Sequence, residues 1–256
     1  MTTSSRVSDA LGWLERHGSK RIRDELEPRY GITTANAYGV AIRDIQTLAK
    51  QLGRDHDLAE ALWRTGVYEA RLLTAYVDDP SSVTAAQMDR WARDFDNWGV
   101  VDTLCFVLFD RTPHAWRKVE QWSRKRDEYV KRAGFVLLAC VALHDKNAGD
   151  EPFLASLPLL EEGAADGRNF VVKGVSWAIR SIGGRSRTLN AATLELATRL
   201  AASPDASSKA VGKLALRDLR APALQKRLGG TSRARTTRSK SQPRRCATSL
   251  IRASGS

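Results

Sequence analysis

One aspartate stands among aromatic residues near the middle of the sequence. Asp102 lies four residues after Trp98 in the segment DNWGVVDTLCFVLF, and Phe106 and Phe109 continue the aromatic pattern. Because residues four apart share one face of an α-helix, Asp102 is expected on a mostly apolar face. A carboxylate in such surroundings needs a cationic partner or serves chemistry. Asp102 is therefore the first candidate functional residue, and a helix cap or a salt bridge to Arg132 is the structural alternative.

Two later segments supply cations and further aromatic residues that could surround this carboxylate. Arg132 lies in VKRAGFVLL, and the segment NFVVKGVSWAIRSIG carries Phe170, Lys173, Trp177 and Arg180 at helical spacing. A carboxylate, aromatic faces and cations on successive helices could together hold a cationic base and its sugar against a DNA phosphate. These residue types therefore favour a site that contacts nucleic acid.

The elements that would position these residues are helices. Apolar residues recur at three- and four-residue spacing along the chain, and no convincing alternating strand is found. Short breaks with Gly, Pro and Asp separate the predicted helices. These helices are 8–27, 40–52, 57–64, 67–77, 84–94, 97–109, 114–123, 127–143, 151–162, 168–182, 188–201 and 205–218.

The lengths and connections of these helices predict an all-α, HEAT-like solenoid of antiparallel helix pairs with a concave basic face. Helix pairs follow one another at about 30–40 residues, near the range of HEAT and armadillo repeats. The segments ALWRTGVYEARLLTAYVDDP and LLEEGAADGRNFVVKGVSWAIRSIG look like related units. Cations at equivalent positions of the second helices would track a phosphate backbone. A single irregular helical bundle is the alternative.

The net charge favours a polyanionic partner. The 256 residues carry a formal net charge of +12, which favours nucleic acid first and an anionic membrane second as the partner. Their hydrophobic content of 42% is ordinary for a globular protein. Residues 231–256 hold seven basic and no acidic side chains, which leaves +5 for residues 1–230. We expect one HEAT-like domain over 1–228 and a disordered basic tail over 229–256.

The cysteines and the apolar segments narrow the class further. Cys105 and Cys140 fall in apolar helical stretches and are expected in the core, and with Cys246 they form no metal-binding pattern. No metal and no cofactor are expected. No apolar run approaches the length of a membrane span, so no membrane association is predicted and a cytoplasmic location is the default.

The ordered set of motifs resembles the DNA alkylation repair family, the AlkD-type DNA glycosylases. The set begins with AYGVAIRDIQTLAKQLG and continues through LWRTGVYEARLLTAYVDDP, DFDNWGVVDTL, EYVKRAGFVLL and NFVVKGVSWAIRSIG. It covers most of residues 25–220. The resemblance implies HEAT-like repeats and hydrolysis of the N-glycosidic bond of cationic alkylated purines, such as 7-methylguanine and 3-methyladenine, in duplex DNA.

The resemblance also implies roles for particular residues. Asp102 falls on the catalytic aspartate, Trp98 and Trp177 on the tryptophans that flank the lesion, and Arg132 on a phosphate-contacting arginine. A typical member has an acidic or polar residue where this chain has Gly99. An ionised Asp102 close to the sugar would stabilise an oxocarbenium-like species and secondarily activate water. Further DNA contacts are expected from Lys131, Lys173, Arg180 and Arg43.

Two alternatives stay open at this point. Lys173 could act as a Schiff-base nucleophile, although a contact with phosphate is the simpler interpretation. The whole protein could instead be a non-catalytic HEAT-repeat protein that binds distorted or branched nucleic acid or a protein partner. On the leading interpretation its partner is double-stranded DNA, without an obligatory protein partner, and we expect a monomer at the nucleoid in the bacterial cytoplasm.

Overall fold

The architecture is all-α. The computed structural model describes residues 2–237, and the side chains of residues 2–229. This part of the chain forms fifteen α-helices and one short 3-10 turn, without a strand. The helices are α1 (Thr3–Arg16), α2 (Lys20–Tyr30), α3 (Ile42–Leu52), α4 (His56–Trp63), α5 (Tyr68–Val77), α6 (Ala85–Ala92), α7 (Trp98–Val107), α8 (Ala115–Ser123), α9 (Glu128–His144), α10 (Glu151–Ala155), α11 (Leu157–Ala164), α12 (Asn169–Gly183), α13 (Arg187–Ala202), α14 (Ala206–Leu219) and α15 (Pro222–Thr237).

Two predicted helices are each divided in the structure. The expected helix 8–27 ends at Arg16, and α2 begins after Ser19, whose hydroxyl caps the new helix. Gly18 lies at the break, where a β-carbon would come within 2.7 Å of the Tyr38 carbonyl oxygen. The expected helix 151–162 is interrupted at Ser156, because Pro158 has no N–H to continue the hydrogen bonds of α10.

The last helix, α15, was not predicted. Leu228 is buried and Leu224 packs against the core, so this segment has an apolar side that the strongly basic composition masks. The helix continues into residues 229–237, which the sequence places in the disordered tail. The rest of that tail, 238–256, lies outside the described residues, and its disorder stays a prediction.

The helices stack as the repeat prediction requires. Helices α4 and α5, α8 and α9, α11 and α12, and α13 and α14 pack as successive pairs. The helices α3, α5, α7, α9, α12 and α14 form a continuous row in which each contacts the next. We call these six helices the inner row. The HEAT-like fold is thereby confirmed, and the functional candidates on α7, α9 and α12 lie on three neighbouring helices of this row.

The core contains both cysteines that the sequence assigns to it. Cys105 and Cys140 are buried free thiols. Trp63, Trp91 and Trp122 are also buried, and the rings of Trp63 and Trp91 stack with centroids 4.6 Å apart. None of the helices in the described part of the chain is long and apolar enough to cross a bilayer.

A buried glutamate fixes the loop that leads into the inner row. Glu69 on α5 accepts hydrogen bonds from the backbone N–H groups of Tyr38, Gly39 and Val40, at 3.0, 2.7 and 3.2 Å. Gly39 has a positive φ of 81°, and a β-carbon there would lie 2.3 Å from the Ser19 carbonyl oxygen. We call this arrangement the Glu69 cradle. It sets the entry of α3 and the position of α2 against it.

Candidate active site

Helix α7 presents Trp98, Asp102 and Phe106 on one face. The Asn97 side chain accepts a hydrogen bond from the Val100 N–H at 3.0 Å and starts the helix. The opposite side of α7 is buried in the core. Because the three residues are four positions apart and the opposite side is buried, they share the less buried face of the helix.

Asp102 forms a bidentate ion pair with Arg132 on α9. The guanidinium Nε donates to Oδ1 at 2.9 Å and Nη2 donates to Oδ2 at 2.7 Å. Arg132 also donates from Nη1 to the carbonyl oxygen of Phe170 on α12, at 2.7 Å. The side chains of Asp102 and Arg132 are 19% and 6% exposed. Arg132 therefore links the carboxylate to two neighbouring helices, while part of the Asp102 side chain stays exposed.

Two opposing effects set the protonation of Asp102. Burial raises the pKa of this carboxyl above its ordinary value, and the nearby guanidinium of Arg132 acts in the opposite direction. Both carboxyl oxygens accept a charge-assisted N–H bond, which is the geometry of an ionised group. That Asp102 is ionised at neutral pH stays a prediction.

Asp102 opens into a cleft of about 320 Å³ with a mixed aromatic and cationic lining, which we call the basic cleft. Trp98 borders it and donates its indole N–H to the Tyr30 carbonyl oxygen at 2.8 Å. Arg29 lies over the Tyr30 ring at 5.2 Å. The residues that line the basic cleft are Arg29, Tyr30, Trp98, Asp102, Arg132, Phe170 and Lys173.

Trp177 lies beside the basic cleft rather than in its wall. It stacks on the exposed Phe106 ring, with centroids 6.5 Å apart and planes 26° apart. It lines a second cleft of about 480 Å³, together with Arg180. Arg132 and Lys173 line both clefts, so the two spaces adjoin. The sequence places Trp98 and Trp177 as a pair around Asp102, and the structure sets them in neighbouring spaces.

The cations predicted to contact DNA fall into two groups. Lys173 is exposed in the basic cleft, and Arg180 is exposed in the adjoining one, 3.6 Å from Asp218. Lys131 instead forms a 2.7 Å ion pair with Asp166, and Arg43 is exposed on α3. Neither Lys131 nor Arg43 lines the two clefts.

Arg29 and Tyr30 are the site residues that sequence reasoning missed. They lie at the end of α2, which the expected helix 8–27 leaves out. A usable signal was present, because Tyr30 precedes Gly31, and glycine in the left-handed conformation commonly ends a helix. Phe170 was noted in the sequence only as part of a stripe, and the structure places it in the basic cleft.

The fold and this site define a HEAT-like repeat protein with a fixed carboxylate in an aromatic and cationic cleft. The family model described as DNA alkylation repair enzyme matches residues 11–217. The chain therefore belongs to the DNA alkylation repair enzyme family. No curated protein matches the sequence.

One solved structure agrees with the fold. It is described as "a new family of proteins related to the HEAT-like repeat DNA glycosylases with affinity for branched DNA structures". It is 18% identical, covers 83% of this chain and 93% of its own, and superposes with a TM-score of 0.66. At that identity the likeness shows the fold alone.

Two designed armadillo repeat proteins also match, one of them in complex with the peptide (KR)4. They are 13% and 15% identical and cover 92% and 85% of this chain and 84% and 93% of their own. Their TM-scores are 0.30 and 0.32, too low to support any argument.

Proposed function

We propose that the protein is a DNA glycosylase that hydrolyses the N-glycosidic bond of cationic alkylated purines, 7-methylguanine and 3-methyladenine, in duplex DNA. One observation carries the proposal. Asp102 is held by two hydrogen bonds from Arg132 and still borders a cleft that also contains aromatic and cationic side chains. A salt bridge that served only stability would have no need of such a cleft.

The chemistry demands little from the protein. A purine alkylated at N3 or N7 carries a positive charge and leaves without further protonation. As the bond to C1′ breaks, positive charge develops on the deoxyribose, as in glycoside hydrolysis. A carboxylate fixed beside the sugar stabilises that charge, and it can also orient or deprotonate the attacking water. Asp102 takes this role in the proposal.

Arg132 takes a positioning role rather than the phosphate contact that the resemblance implies. Its guanidinium donates to both Asp102 oxygens and to the Phe170 carbonyl, and it is almost entirely buried. Lys173 and Arg29 are exposed in the same cleft and can reach a backbone phosphate. We assign the phosphate contact next to the lesion to these two cations.

Aromatic faces complete the site. The rings of Trp98 and Tyr30 border the cleft beside Asp102. Their negative faces attract a cationic base and a developing sugar cation, at about 0.5–2 kcal/mol for each contact. The hydrogen bond from Trp98 to the Tyr30 carbonyl keeps the two residues together.

The test is base release from methylated duplex DNA by the purified protein, without added metal or cofactor. We expect release of 7-methylguanine, and a loss of at least about 100-fold in its rate for Asp102→Asn. The asparagine keeps the shape and one acceptor for Arg132. Because a negative charge near the phosphates is removed, the variant should bind undamaged duplex at least as tightly as wild type.

The same assay includes the outcome that contradicts the proposal. If the wild-type protein releases no base from heavily methylated DNA, the proposed glycosylase activity is wrong. Base release at the wild-type rate by the Asp102→Asn variant would likewise contradict the proposed role of this carboxylate.

Binding of branched DNA is the second candidate, since the structural neighbour is described as having that affinity. On this alternative the inner row would serve only to hold phosphates. Two measurements separate the candidates. A non-catalytic binder would prefer a four-way junction to duplex DNA, and it would release no base from either.

A further inference from the structure

A second carboxylate follows Asp102 along the chain and also bonds to α9. Asp110 comes four residues after Phe106, as Phe106 comes four after Asp102, and it lies on the 3-10 turn that follows α7. The Asp110 side chain is completely buried, and its Oδ2 bonds to Nδ1 of His144, the last residue of α9. This side of α7 is therefore tied to α9 twice, once by a guanidinium and once by an imidazole.

Phe106 connects the Asp110–His144 pair to Trp177. Its ring stands edge-to-face against the His144 imidazole, with centroids 4.4 Å apart and planes 76° apart. The same ring stacks on Trp177 of α12, although α9 lies between α7 and α12 in the inner row. Both arrangements are favourable for aromatic rings. We call Asp110, His144, Phe106 and Trp177, in this order of contact, the aromatic chain.

The buried end of the aromatic chain fixes the imidazole. An ionised carboxylate only accepts hydrogen bonds, so the proton of His144 lies on Nδ1 and the ring plane is set by Asp110. The other carboxyl oxygen, Oδ1, is buried and has no hydrogen-bond partner in the described part of the chain. Such sparse support makes Asp110 costly to bury. Phe106, in contrast, is 40% exposed, so core packing alone does not hold its ring. These observations favour a role for Asp110 and His144 in orienting that ring.

A second histidine–aspartate pair provides a comparison within the same molecule. His56 bonds to Asp78 at 2.7 Å, and their side-chain exposures of 33% and 0% match the 31% and 0% of His144 and Asp110. Asp78 also accepts from the side-chain amide of Gln87 and from a backbone N–H, both at 2.8 Å. His56 begins α4, which is not part of the inner row. The two pairs are alike in exposure, and His56 is therefore a matched control for His144.

We propose that the Asp110–His144 pair sets the orientation of Trp177 through Phe106, which makes His144 a positioning residue for base release. The role in base release rests on the proposed glycosylase function. The orientation of Trp177 does not, because it follows from contacts within the protein.

The position of Trp177 explains how its orientation reaches the reaction. Trp177 lines the second cleft together with Lys173, one helical turn away, and Lys173 also lines the basic cleft beside Asp102. A Trp177 ring that turns away therefore displaces the strand that Lys173 holds, relative to the carboxylate. Small displacements of reacting groups lower the rate by about 10-fold or more. The affinity for the duplex should change little, since the cations that hold the phosphates remain.

The first experiment measures the orientation of Trp177 without DNA. Protein labelled with fluorotryptophan is studied by fluorine NMR, and Trp177→Phe assigns the resonance of Trp177. His144→Asn keeps a donor in the place of Nδ1 for Asp110 but removes the ring that stands against Phe106. We expect this variant to move the Trp177 resonance while it unfolds thermally close to wild type. His56→Asn makes the same change in the other pair and should leave the resonance in place.

The second experiment measures release of 7-methylguanine in single turnovers at saturating protein. His144→Asn should lower the rate at least about 5-fold, with duplex affinity within about 2-fold of wild type. Phe106→Leu should lower it to a similar extent, and adding His144→Asn to Phe106→Leu should cause no further loss, because the two residues act through each other. His56→Asn should release the base at the wild-type rate.

A further variant restores the ring without the hydrogen bond. His144→Phe combined with Asp110→Leu replaces both members of the buried pair by apolar groups of similar shape, which costs little stability. It should bring the rate and the Trp177 resonance back toward wild type, since a ring again stands against Phe106.

The outcomes separate this inference from the proposed function. A Trp177 resonance that both His144→Asn and Phe106→Leu leave in place overturns the positioning role, independently of any activity on DNA. Weaker duplex binding at an unchanged rate in His144→Asn also overturns it, because His144 would then contact DNA itself. A moved resonance in a protein that releases no base keeps the link from His144 to Trp177, and it overturns the glycosylase function together with the role in base release.

Discussion

Two carboxylates of the inner row, Glu69 on α5 and Asp102 on α7, are held in opposite ways. Glu69 is 1% exposed, and its contacts are backbone N–H groups of a single loop. Asp102 is held by one side chain, Arg132, and has one side open to the basic cleft. Glu69 is buried against the loop whose backbone N–H groups it binds. Asp102 borders the basic cleft and stays partly exposed.

The difference shows how one fold separates stability from chemistry. Backbone donors fully satisfy a carboxylate at little cost, because they belong to a loop that must be fixed in any case. A carboxylate supported by one guanidinium and partly desolvated is costly to keep ionised, and burial raises the pKa of Asp102 accordingly. Substitution of Glu69 should therefore lower the free energy of unfolding, whereas substitution of Asp102 should mainly lower the rate of base release.

The largest effect on stability is expected at Arg132. Replacement by alanine leaves Asp102 buried without its partner and removes the link to the Phe170 carbonyl, so the free energy of unfolding should fall by about 3–5 kcal/mol. Urea denaturation measures this. Arg132→Lys keeps the charge but not the bidentate geometry, and its loss should be smaller. Equal stability of all three proteins would show that the ion pair contributes nothing to the fold.

Glu69→Gln should destabilise the protein less than Arg132→Ala does, and it tests the other carboxylate of the comparison. The amide offers one acceptor oxygen to the loop and turns its NH2 group toward backbone donors, so unfolding should become easier by about 1–3 kcal/mol. The folded variant should release 7-methylguanine at the wild-type rate. Asp102→Asn provides the reverse pattern, with a lost rate and a smaller loss of stability than Arg132→Ala. A slow but fully stable Glu69→Gln protein would contradict the division between the two carboxylates.

The sequence could predict those features of the fold and the site that depend on local spacing. The three- to four-residue recurrence of apolar side chains predicts the helices and the repeat fold, and the Trp98–Asp102 spacing predicts their shared face. A salt bridge between Asp102 and Arg132 was the structural alternative that the residue types offered, and the structure contains this salt bridge. Local patterns sufficed for these residues because each helix face is fixed by the side that it buries.

Contacts between distant segments were not accessible in the same way. Trp98 bonds to Tyr30, 68 residues away along the chain, and no spacing rule connects the two. Lys131 and Arg132 are neighbours, yet one pairs with Asp166 and the other with Asp102, because successive residues point to different sides of α9. The basic cleft arises from such contacts, which only the packing of the repeats determines.

The smallest expected effect is a shift in the pH dependence of base release, and it separates burial from the ion pair. Only ionised Asp102 can stabilise the sugar cation, so the rate falls as the pH falls through the pKa of this group. Because burial raises that pKa, the fall should occur at a higher pH than the ordinary value for aspartate of about 3.9. Arg132 holds the pKa down, so Arg132→Lys should move the fall to a still higher pH. Single-turnover release over an acidic series, corrected for spontaneous depurination, measures both positions. A profile that Arg132→Lys leaves in place would contradict control of this pKa by the bidentate hydrogen bonds of Arg132, whereas a shift upward ties the rate to the titration of Asp102.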